Sequence, residues 1–181
     1  MKLNRSNILK NNLVTLDPAS EDNVALLIKW TLDPIAQGEY KIVPKMTNKE
    51  LEELFLRSQD RHYFLIRSEK NKPIGRLYYR EWKFNDHHEK TDWELNIIIG
   101  EPTERGKGYG TESQCLITNY LMGLNETNSI FAYTMSGNIS EQKTLEKLGF
   151  KRKGYLPSDY YKVNLGRLKS EEFVLYVYEV V

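Results

Sequence analysis

The sequence predicts a mixed α/β protein in which a mostly antiparallel central sheet is flanked by helices. Apolar residues repeat at helical spacing in several segments, and short alternating runs between them are typical of strands. Three of these runs follow one another with only turns or a polar connection between them. The predicted order is β-α-α-β-β-β-α-β-α-β-β, about seven strands and about four helices, in a single domain over residues 1–181.

The composition fits a folded domain and excludes several classes of protein. Of the 181 residues, 40% are hydrophobic and 28% are charged, which argues against disorder because a core can form. Lys plus Arg is 26 and Asp plus Glu is 25, and a net charge of +1 argues against a dedicated nucleic-acid binder.

The sequence also argues against a membrane protein and against a metal-binding protein. The longest apolar run, 173–178, is far shorter than the ~20 residues that span a bilayer, and the N-terminus lacks the apolar stretch of a signal peptide. The single cysteine rules out an intramolecular disulfide and a Cys-rich metal site. The run 86–89 contains two histidines and two acidic residues, but adjacent histidines in extended chain point apart, so we expect a loop and no metal. We therefore expect a cytoplasmic protein.

The first half of the chain predicts one strand and two helices before the three successive strands. Residues 11–16 are predicted to form the first strand. Ser20 and Asp22 can cap a helix that Asp33 ends, because the residue before a proline resists helical backbone. Thr47-x-x-Glu50 has the spacing of a capping box and predicts the start of a second helix. The three strands predicted to form an antiparallel meander are 62–67, 74–84 and 91–99.

The second half of the chain is predicted to alternate helices and strands. A helix with apolar residues from Leu116 to Leu124 follows a glycine-rich stretch, and a later helix ends at Gly149. The remaining predicted elements are the strands 130–134, 150–156 and 173–180 and the helix 140–148.

The glycine-rich stretch carries the chemical signal of the sequence. A strand ends at Ile99, and the turn 105–110 opens the next helix. The free N–H groups of a helix's first turn form an anion site, so this turn should bind phosphates. A Walker loop is excluded because no Lys-Ser or Lys-Thr follows a glycine here. The dinucleotide fingerprint is excluded because Thr111 stands where its third glycine is needed.

The spacing Arg105-x-x-Gly108-x-Gly110 instead resembles the pyrophosphate loop of the GNAT superfamily of acetyl-CoA-dependent N-acetyltransferases. The context supports this resemblance: a strand precedes the loop, a helix follows it, and Asn138 precedes Gly149-Phe150 by eleven residues. The stretch 94–112 is similar to the subgroup that contains the ribosomal-protein N-terminal acetyltransferases. The resemblance implies the GNAT fold and covers 91–155 most specifically. A plain turn is the alternative for the glycines.

The resemblance implies how the coenzyme is bound. The backbone N–H groups from Gly106 to Thr111 would hold the pyrophosphate, with the Arg105 side chain nearby. Ile98 and Ile99 would run beside the pantetheine arm, where the family's strand splays. Asn138 and Lys147 would contact the coenzyme from the second helix, although Asn138 can also act only as a helix cap and Lys147 as part of an exposed face. The full set of coenzyme-binding residues that we expect is Ile98, Ile99, Arg105, Gly106, Lys107, Gly108, Tyr109, Gly110, Thr111, Asn138 and Lys147.

The same resemblance indicates a candidate base. Glu94 matches the strand glutamate of the subgroup, and alternation places it on the strand face opposite Trp93 and Leu95. It can accept the proton that an amine must lose, or be a solvated strand residue paired with a cross-strand cation. Leu145 stands where many members carry a tyrosine that protonates the leaving thiolate, so the general acid is unassigned. Chemistry alone makes Tyr155, Tyr160 and Tyr161 candidates.

The resemblance thus implies an enzyme that moves an acetyl group from acetyl-CoA to a primary amine, either a protein or peptide N-terminus or a small amine, by direct attack on the thioester. An amino sugar or aminoglycoside-like antibiotic is the alternative acceptor. A non-catalytic acyl-CoA-binding module is the alternative of another class. The partners would be acetyl-CoA and an amine, with no nucleic acid and no membrane, in a monomer or homodimer. We expect the acceptor pocket within 30–50, 78–93 and 155–172.

Overall fold

The sheet of this protein is built from strands that occur in the predicted order, with helices on both faces. A computed structural model describes residues 7–39, 43–81, 90–156 and 173–179. The strands in these ranges are β1 (Leu9–Lys10), β2 (Val14–Pro18), β3 (Arg61–Ser68), β4 (Pro73–Glu81), β5 (Thr91–Ile99), β6 (Thr127–Met135), β7 (Lys151–Tyr155) and β8 (Phe173–Glu179). The helices are α1 (Val24–Leu32), α2 (Pro34–Gln37), α3 (Asn48–Arg57), α4 (Tyr109–Met122) and α5 (Ile139–Lys147).

The strand order within the described residues is β1-β2-β3-β4-β5-β6-β8-β7. The predicted meander is confirmed, because β3 pairs antiparallel with β4 and β4 pairs antiparallel with β5. The pair formed by β5 and β6 is parallel, and the other neighbours run antiparallel. This single parallel pair brings the ends of β5 and β6 to the same edge of the sheet, with α4 following one strand and α5 following the other.

Hydrophobic cores lie on both faces of the sheet. Alternation along β5 puts Trp93 and Leu95 into the core that packs against α4 and α5, together with Ile117 and Leu121 of α4. The opposite face packs against α1 and α3 through Leu27, Trp30, Leu51 and Phe55. Residues Glu94, Asn96 and Ile98 therefore face the α1 and α3 side. None of the helices in the described ranges is both long and apolar enough to cross a membrane.

The structure corrects three details of the prediction. The N-cap of α1 is Asn23 rather than Ser20 or Asp22, and the Asn23 side chain instead accepts a hydrogen bond from the backbone N–H of Ser20 at 2.9 Å. The short helix α2 was not predicted. Asp33 ends α1 as expected and also caps α2, accepting from the N–H of Ile35 at 2.8 Å. The two-residue strand β1 was not predicted either, because so short a segment shows no alternation.

The capping box of α3 is confirmed. The Thr47 hydroxyl accepts from the backbone N–H of Glu50 at 3.3 Å, and the Glu50 carboxylate accepts from the backbone N–H of Thr47 at 2.7 Å. Two backbone donors at the helix start are satisfied in this way.

Candidate functional site

The central feature of the site is the separation of β5 from β6. The two strands pair from Thr91 to Leu95 on β5, where the last pair joins Leu95 to Ala132. Beyond this point β5 stays paired with β4 up to Ile99, whereas β6 stays paired with β8 up to Met135. The two strands therefore diverge and leave a wedge-shaped opening between them, and no strand among the described residues lies beside the β6-facing edge of residues 96–99.

The N-terminus of α4 points into this wedge. Gly108 is its N-cap with φ of +88°, a left-handed conformation that glycine adopts without strain, and no side chain caps the helix start. The first backbone bond of the helix runs from Glu112 N–H to the Gly108 carbonyl at 3.0 Å. The N–H groups of Tyr109, Gly110 and Thr111 come before it and lack intrahelical acceptors. These donors, with the positive end of the helix dipole, form an anion site.

A groove of about 620 Å³ runs along the wedge. The β5 end, the glycine-rich loop, the first turn of α5 and α2 form its walls. The groove brings together eight of the predicted coenzyme-binding residues, which are Ile98, Ile99, Arg105, Gly106, Gly108, Gly110, Thr111 and Asn138.

Arg105 holds the groove in shape through its side chain. Its Nε donates to the Ile99 carbonyl at 3.0 Å, and its Nη2 donates to the carbonyls of Ile35 and Ala36 at 2.8 and 2.7 Å. These bonds tie α2 to the end of β5. Because the acceptors are neutral carbonyls, the guanidinium keeps its positive charge available to the groove.

Asn138 lies on the opposite wall, where it is the N-cap of α5. Its Oδ1 accepts from the backbone N–H of Glu141 at 3.3 Å, and its Nδ2 donates to the Thr134 hydroxyl at 3.0 Å. Asn138 therefore caps α5, and its contact with the coenzyme stays a prediction.

Three of the predicted coenzyme-binding residues do not line the groove. Lys107 forms an ion pair with Glu104 at 2.8 Å, and Tyr109 packs its ring into the core against α4 and α5. Lys147 is exposed in the last turn of α5. Their contacts with a coenzyme stay predictions, and for Tyr109 only its backbone N–H lies at the helix start.

Glu94 is fully buried, which corrects the solvated-strand interpretation. Its Oε2 accepts from Nε and Nη2 of Arg80 at 2.9 and 2.8 Å, and its Oε1 accepts from the Tyr78 hydroxyl at 3.1 Å. The cross-strand cation was expected, but it is the partly buried Arg80, and the carboxylate that it pairs with is fully buried. Burial, followed by the charge of Glu94, raises the pKa of Tyr78 well above its ordinary value of 10.0, so Tyr78 is a neutral hydroxyl.

A second cavity, of about 220 Å³, lies beside the groove on the α1 and α3 side of the sheet. Gln37 of α2 lines both spaces, so they adjoin. Residues from the expected segment 30–50 contribute to it, as does Tyr78 from 78–93. The remaining walls were not predicted; they include Leu51, Phe55, Arg61, Tyr63, Arg76, Asn96, Tyr133, Thr134 and Phe173.

The sequence did contain a signal for part of this cavity. Arg76, Tyr78 and Arg80 alternate along β4, so three polar side chains share one face of a central strand. Such a pattern inside a buried strand indicates a lined site rather than a core. Leu145, where the family often has tyrosine, is buried in the core, and Tyr155 is 54% exposed at the end of β7. Tyr160, Tyr161, most of the expected segment 155–172 and the run 86–89 lie outside the described residues.

Comparison with known proteins identifies the family. The family model described as the acetyltransferase (GNAT) domain matches residues 14–151. This covers more than half of the chain, which therefore belongs to the GNAT acetyltransferase family and is an acyltransferase that uses acetyl-CoA. No curated protein sequence matches the chain.

Solved structures show the same fold at low sequence identity. The GNAT-family acetyltransferase from Bacillus anthracis is 16% identical, with a TM-score of 0.72 over 96% of this chain and 99% of that one. RimL, a ribosomal L7/L12 α-N-protein acetyltransferase in complex with coenzyme A, is 13% identical, with a TM-score of 0.72 over 96% and 98%. The aminoglycoside acetyltransferase AAC(6')-Ib with coenzyme A and kanamycin is 18% identical, with a TM-score of 0.71 over 92% and 94%.

Proposed function

We propose that this protein binds acetyl-CoA in the groove between β5 and β6 and transfers its acetyl group to a primary amine in the adjoining cavity. The observation that carries the proposal is the opening of the parallel pair next to the N-terminus of α4, where the N-cap Gly108 has no side chain to satisfy the first N–H groups. This geometry offers a strand edge that no described strand pairs with, helix N–H donors and the Arg105 charge along one groove, and those features suit a long anionic molecule.

The proposed coenzyme contacts follow from the walls of the groove. The N–H groups between Gly106 and Thr111 hold the pyrophosphate. The backbone of Ile98 and Ile99 runs beside the pantetheine arm, and one of its N–H groups polarises the thioester carbonyl. Asn138 borders the same groove from α5, and Lys107 and Lys147 add positive charge at its periphery.

The attacking amine must be neutral, so it has to lose a proton first. We propose that Glu94 accepts this proton by way of the Tyr78 hydroxyl. Tyr78 lines the cavity and already donates its hydroxyl hydrogen to Glu94 at 3.1 Å. In this relay the ammonium proton moves to the Tyr78 oxygen as the Tyr78 hydrogen moves to the Glu94 carboxylate. The neutral amine then forms the C–N bond as the C–S bond breaks, and the nitrogen loses its second proton as the amide forms. A coenzyme thiolate is a good leaving group, so water can carry that proton to it where Leu145 offers no acid.

The acceptor is a primary amine, and the structural relatives act on more than one kind. RimL supports a protein or peptide N-terminus, and AAC(6')-Ib supports an amino sugar. A non-catalytic acyl-CoA-binding module would share the groove but would lack amine-dependent turnover.

Calorimetric titration with acetyl-CoA tests the proposed groove. Valine at Gly108 puts a β-branched side chain at positive φ in the groove wall, whereas valine at Gly154, which also has positive φ and open space around it, lies in β7. Both variants should lose stability, by at least ~1–2 kcal/mol for the backbone conformation. Only Gly108→Val should lose coenzyme affinity, by about tenfold or more, which is ~1.4 kcal/mol. Unchanged affinity in a folded Gly108→Val protein would contradict the proposal.

A further inference from the structure

Arg76 is a buried cation with two nitrogens that make no hydrogen bond to any described residue. It is only 8% exposed, and its Nε and Nη1 are buried without a hydrogen-bond partner among the described residues. Burial lowers its pKa, but a guanidinium stays charged at neutral pH. A buried charge with unused donors destabilises a fold, so its presence in a cavity wall points to a ligand.

The position of Arg76 relates it to the groove. On β4 it stands directly opposite Ile98 of β5, and side chains of such pairs lie on the same face. Tyr78, two residues further along β4, also lines the cavity. The guanidinium is therefore one strand away from the backbone that we assign to the pantetheine arm, and on the same face as the Tyr78 hydroxyl.

The charged side chains that line the cavity among the described residues are all positive. Arg61 and Arg76 both line it, and none of its described lining residues is acidic. Arg61 stacks over the Tyr78 ring at 5.8 Å and lies within 3.5 Å of the Tyr63 hydroxyl. Glu94 shares this sheet face, but its oxygens are engaged by Arg80 and Tyr78. A polycationic acceptor would be repelled here, whereas an anionic group would be attracted.

We propose that the acceptor is a small primary amine that also carries a carboxylate, and that Arg76 binds this carboxylate. The inference rests on the proposed acetyl transfer and specifies its substrate class. The planar fork of a guanidinium matches a carboxylate in a bidentate pair. A cavity of about 220 Å³ is below the ~300–1,000 Å³ of pockets for drug-sized ligands, which favours a small acceptor over an aminoglycoside.

The test compares amino acids with their primary amides as acceptors, measured by thiol release from acetyl-CoA. Each amide has the same amine and nearly the same shape, and its amine is the less basic of the two, so amine reactivity does not favour the acid. In the wild type we expect kcat/KM for the acid to exceed that for the amide by about 10- to 100-fold. Peptides whose second residue is acidic or neutral form a further pair of acceptors. Comparing their rates distinguishes a carboxylate carried by a peptide from that of a free amino acid.

Variants at Arg76 test whether the preference for the acid over the amide depends on the guanidinium. Arg76→Met should bring acid and amide within about threefold of each other, Arg76→Lys should retain part of the preference, and Arg57→Met, an exposed arginine of α3, should retain all of it. Arg76→Met removes a buried cation, so its melting temperature should equal or exceed that of the wild type. Equal rates for acid and amide in the wild type, or a preference that survives Arg76→Met, would overturn the inference.

A binding readout separates this inference from the proposed function. With CoA present, N-acetylated amino acids should raise the melting temperature of the wild type more than their amides do, and Arg76→Met should abolish the difference. If neutral amines are acetylated and neither readout shows a carboxylate preference, the inference fails and the proposed function stands. If no amine is acetylated but the carboxylate shift occurs and depends on Arg76, the proposed transfer fails and the carboxylate site stands.

Discussion

Replacing Glu94 by glutamine separates the chemistry of the carboxylate from its contribution to stability. The substitution keeps the shape of the side chain, removes its charge, and leaves the partly buried Arg80 without that carboxylate. Removing one partner of a buried ion pair costs ~3–5 kcal/mol. Because glutamine still accepts a hydrogen bond from Tyr78 and Arg80 takes part in a further interaction, we expect the low end, about 3 kcal/mol.

That loss is measurable in a melting curve. At ~2–4 °C per kcal/mol for a chain of this size, the melting temperature of Glu94→Gln should fall by about 6–12 °C. The protein should remain folded at 25 °C. Its acetyl-CoA affinity should be nearly unchanged, because the groove lies along residues 97–111 and α5.

The catalytic consequence is measured as turnover of one identified amine from pH 6 to 10. Loss of a general base typically lowers the rate ~10²–10⁴-fold, and the rate of Glu94→Gln should recover partly at high pH, where more of the amine is already neutral. Tyr78→Phe is the matched control: it removes the hydroxyl of the relay and keeps the Glu94–Arg80 ion pair. The relay therefore predicts slow turnover for both variants.

Two results would refute this reasoning. If Glu94→Gln stays within threefold of the wild type across the pH range, Glu94 has no part in the mechanism. If Tyr78→Phe keeps full activity, the proton does not pass through the Tyr78 hydroxyl.

Three further predictions concern binding and stability. Acetyl-CoA at a hundred times its dissociation constant should stabilise the fold by ~2.7 kcal/mol, a shift of about 5–10 °C in a thermal melt, and an unmoved curve would contradict the assignment of the groove. Thr47→Ala removes the capping box of α3 and should cost ~1 kcal/mol in urea unfolding, whereas an unchanged midpoint would show that the cap is dispensable. Hydrogen bonds from Lys107 and then Lys72 lower the pKa of Glu104 from 4.5 to about 2. The stabilisation from Glu104 is thus present above pH 4.5 and is lost as the pH falls towards 2. Over that pH window Glu104→Gln should therefore lose less stability than the wild type. Parallel profiles of stability against pH for the two proteins would contradict this pairing.

The sequence revealed the parts of the fold that local patterns determine. The capping box at Thr47, the strands of the meander and the glycine-rich turn each depend on a few neighbouring residues, and all three were found. The helix α2 was missed because four residues that begin with a proline are too few to show a helical period. The cap of α1 was assigned to Ser20 or Asp22 because several capping residues precede Val24.

The candidate site also has one part that local sequence patterns predict and another part that they do not. One wall of the groove is formed by a continuous segment, 97–111, which the glycine spacing identified. The other walls belong to α2 and to the first turn of α5, and the α2 wall was not predicted. The cavity combines Thr31, Arg76 and Phe173, which belong to distant parts of the chain and come together only in the folded sheet. The burial of Glu94 with Arg80 likewise depends on the register of β4 with β5, which alternation alone does not specify.

The most direct measurement is thiol release from acetyl-CoA over a panel of primary amines, with the product identified by mass spectrometry. The panel should contain peptides, amino acids with their amides, polyamines and amino sugars. The account predicts release that depends on the amine, one acetyl group added to the amine nitrogen, and a preference for acceptors with a carboxylate. Saturable binding of acetyl-CoA without amine-dependent release for any member of the panel would contradict it and would identify a non-catalytic acyl-CoA-binding module.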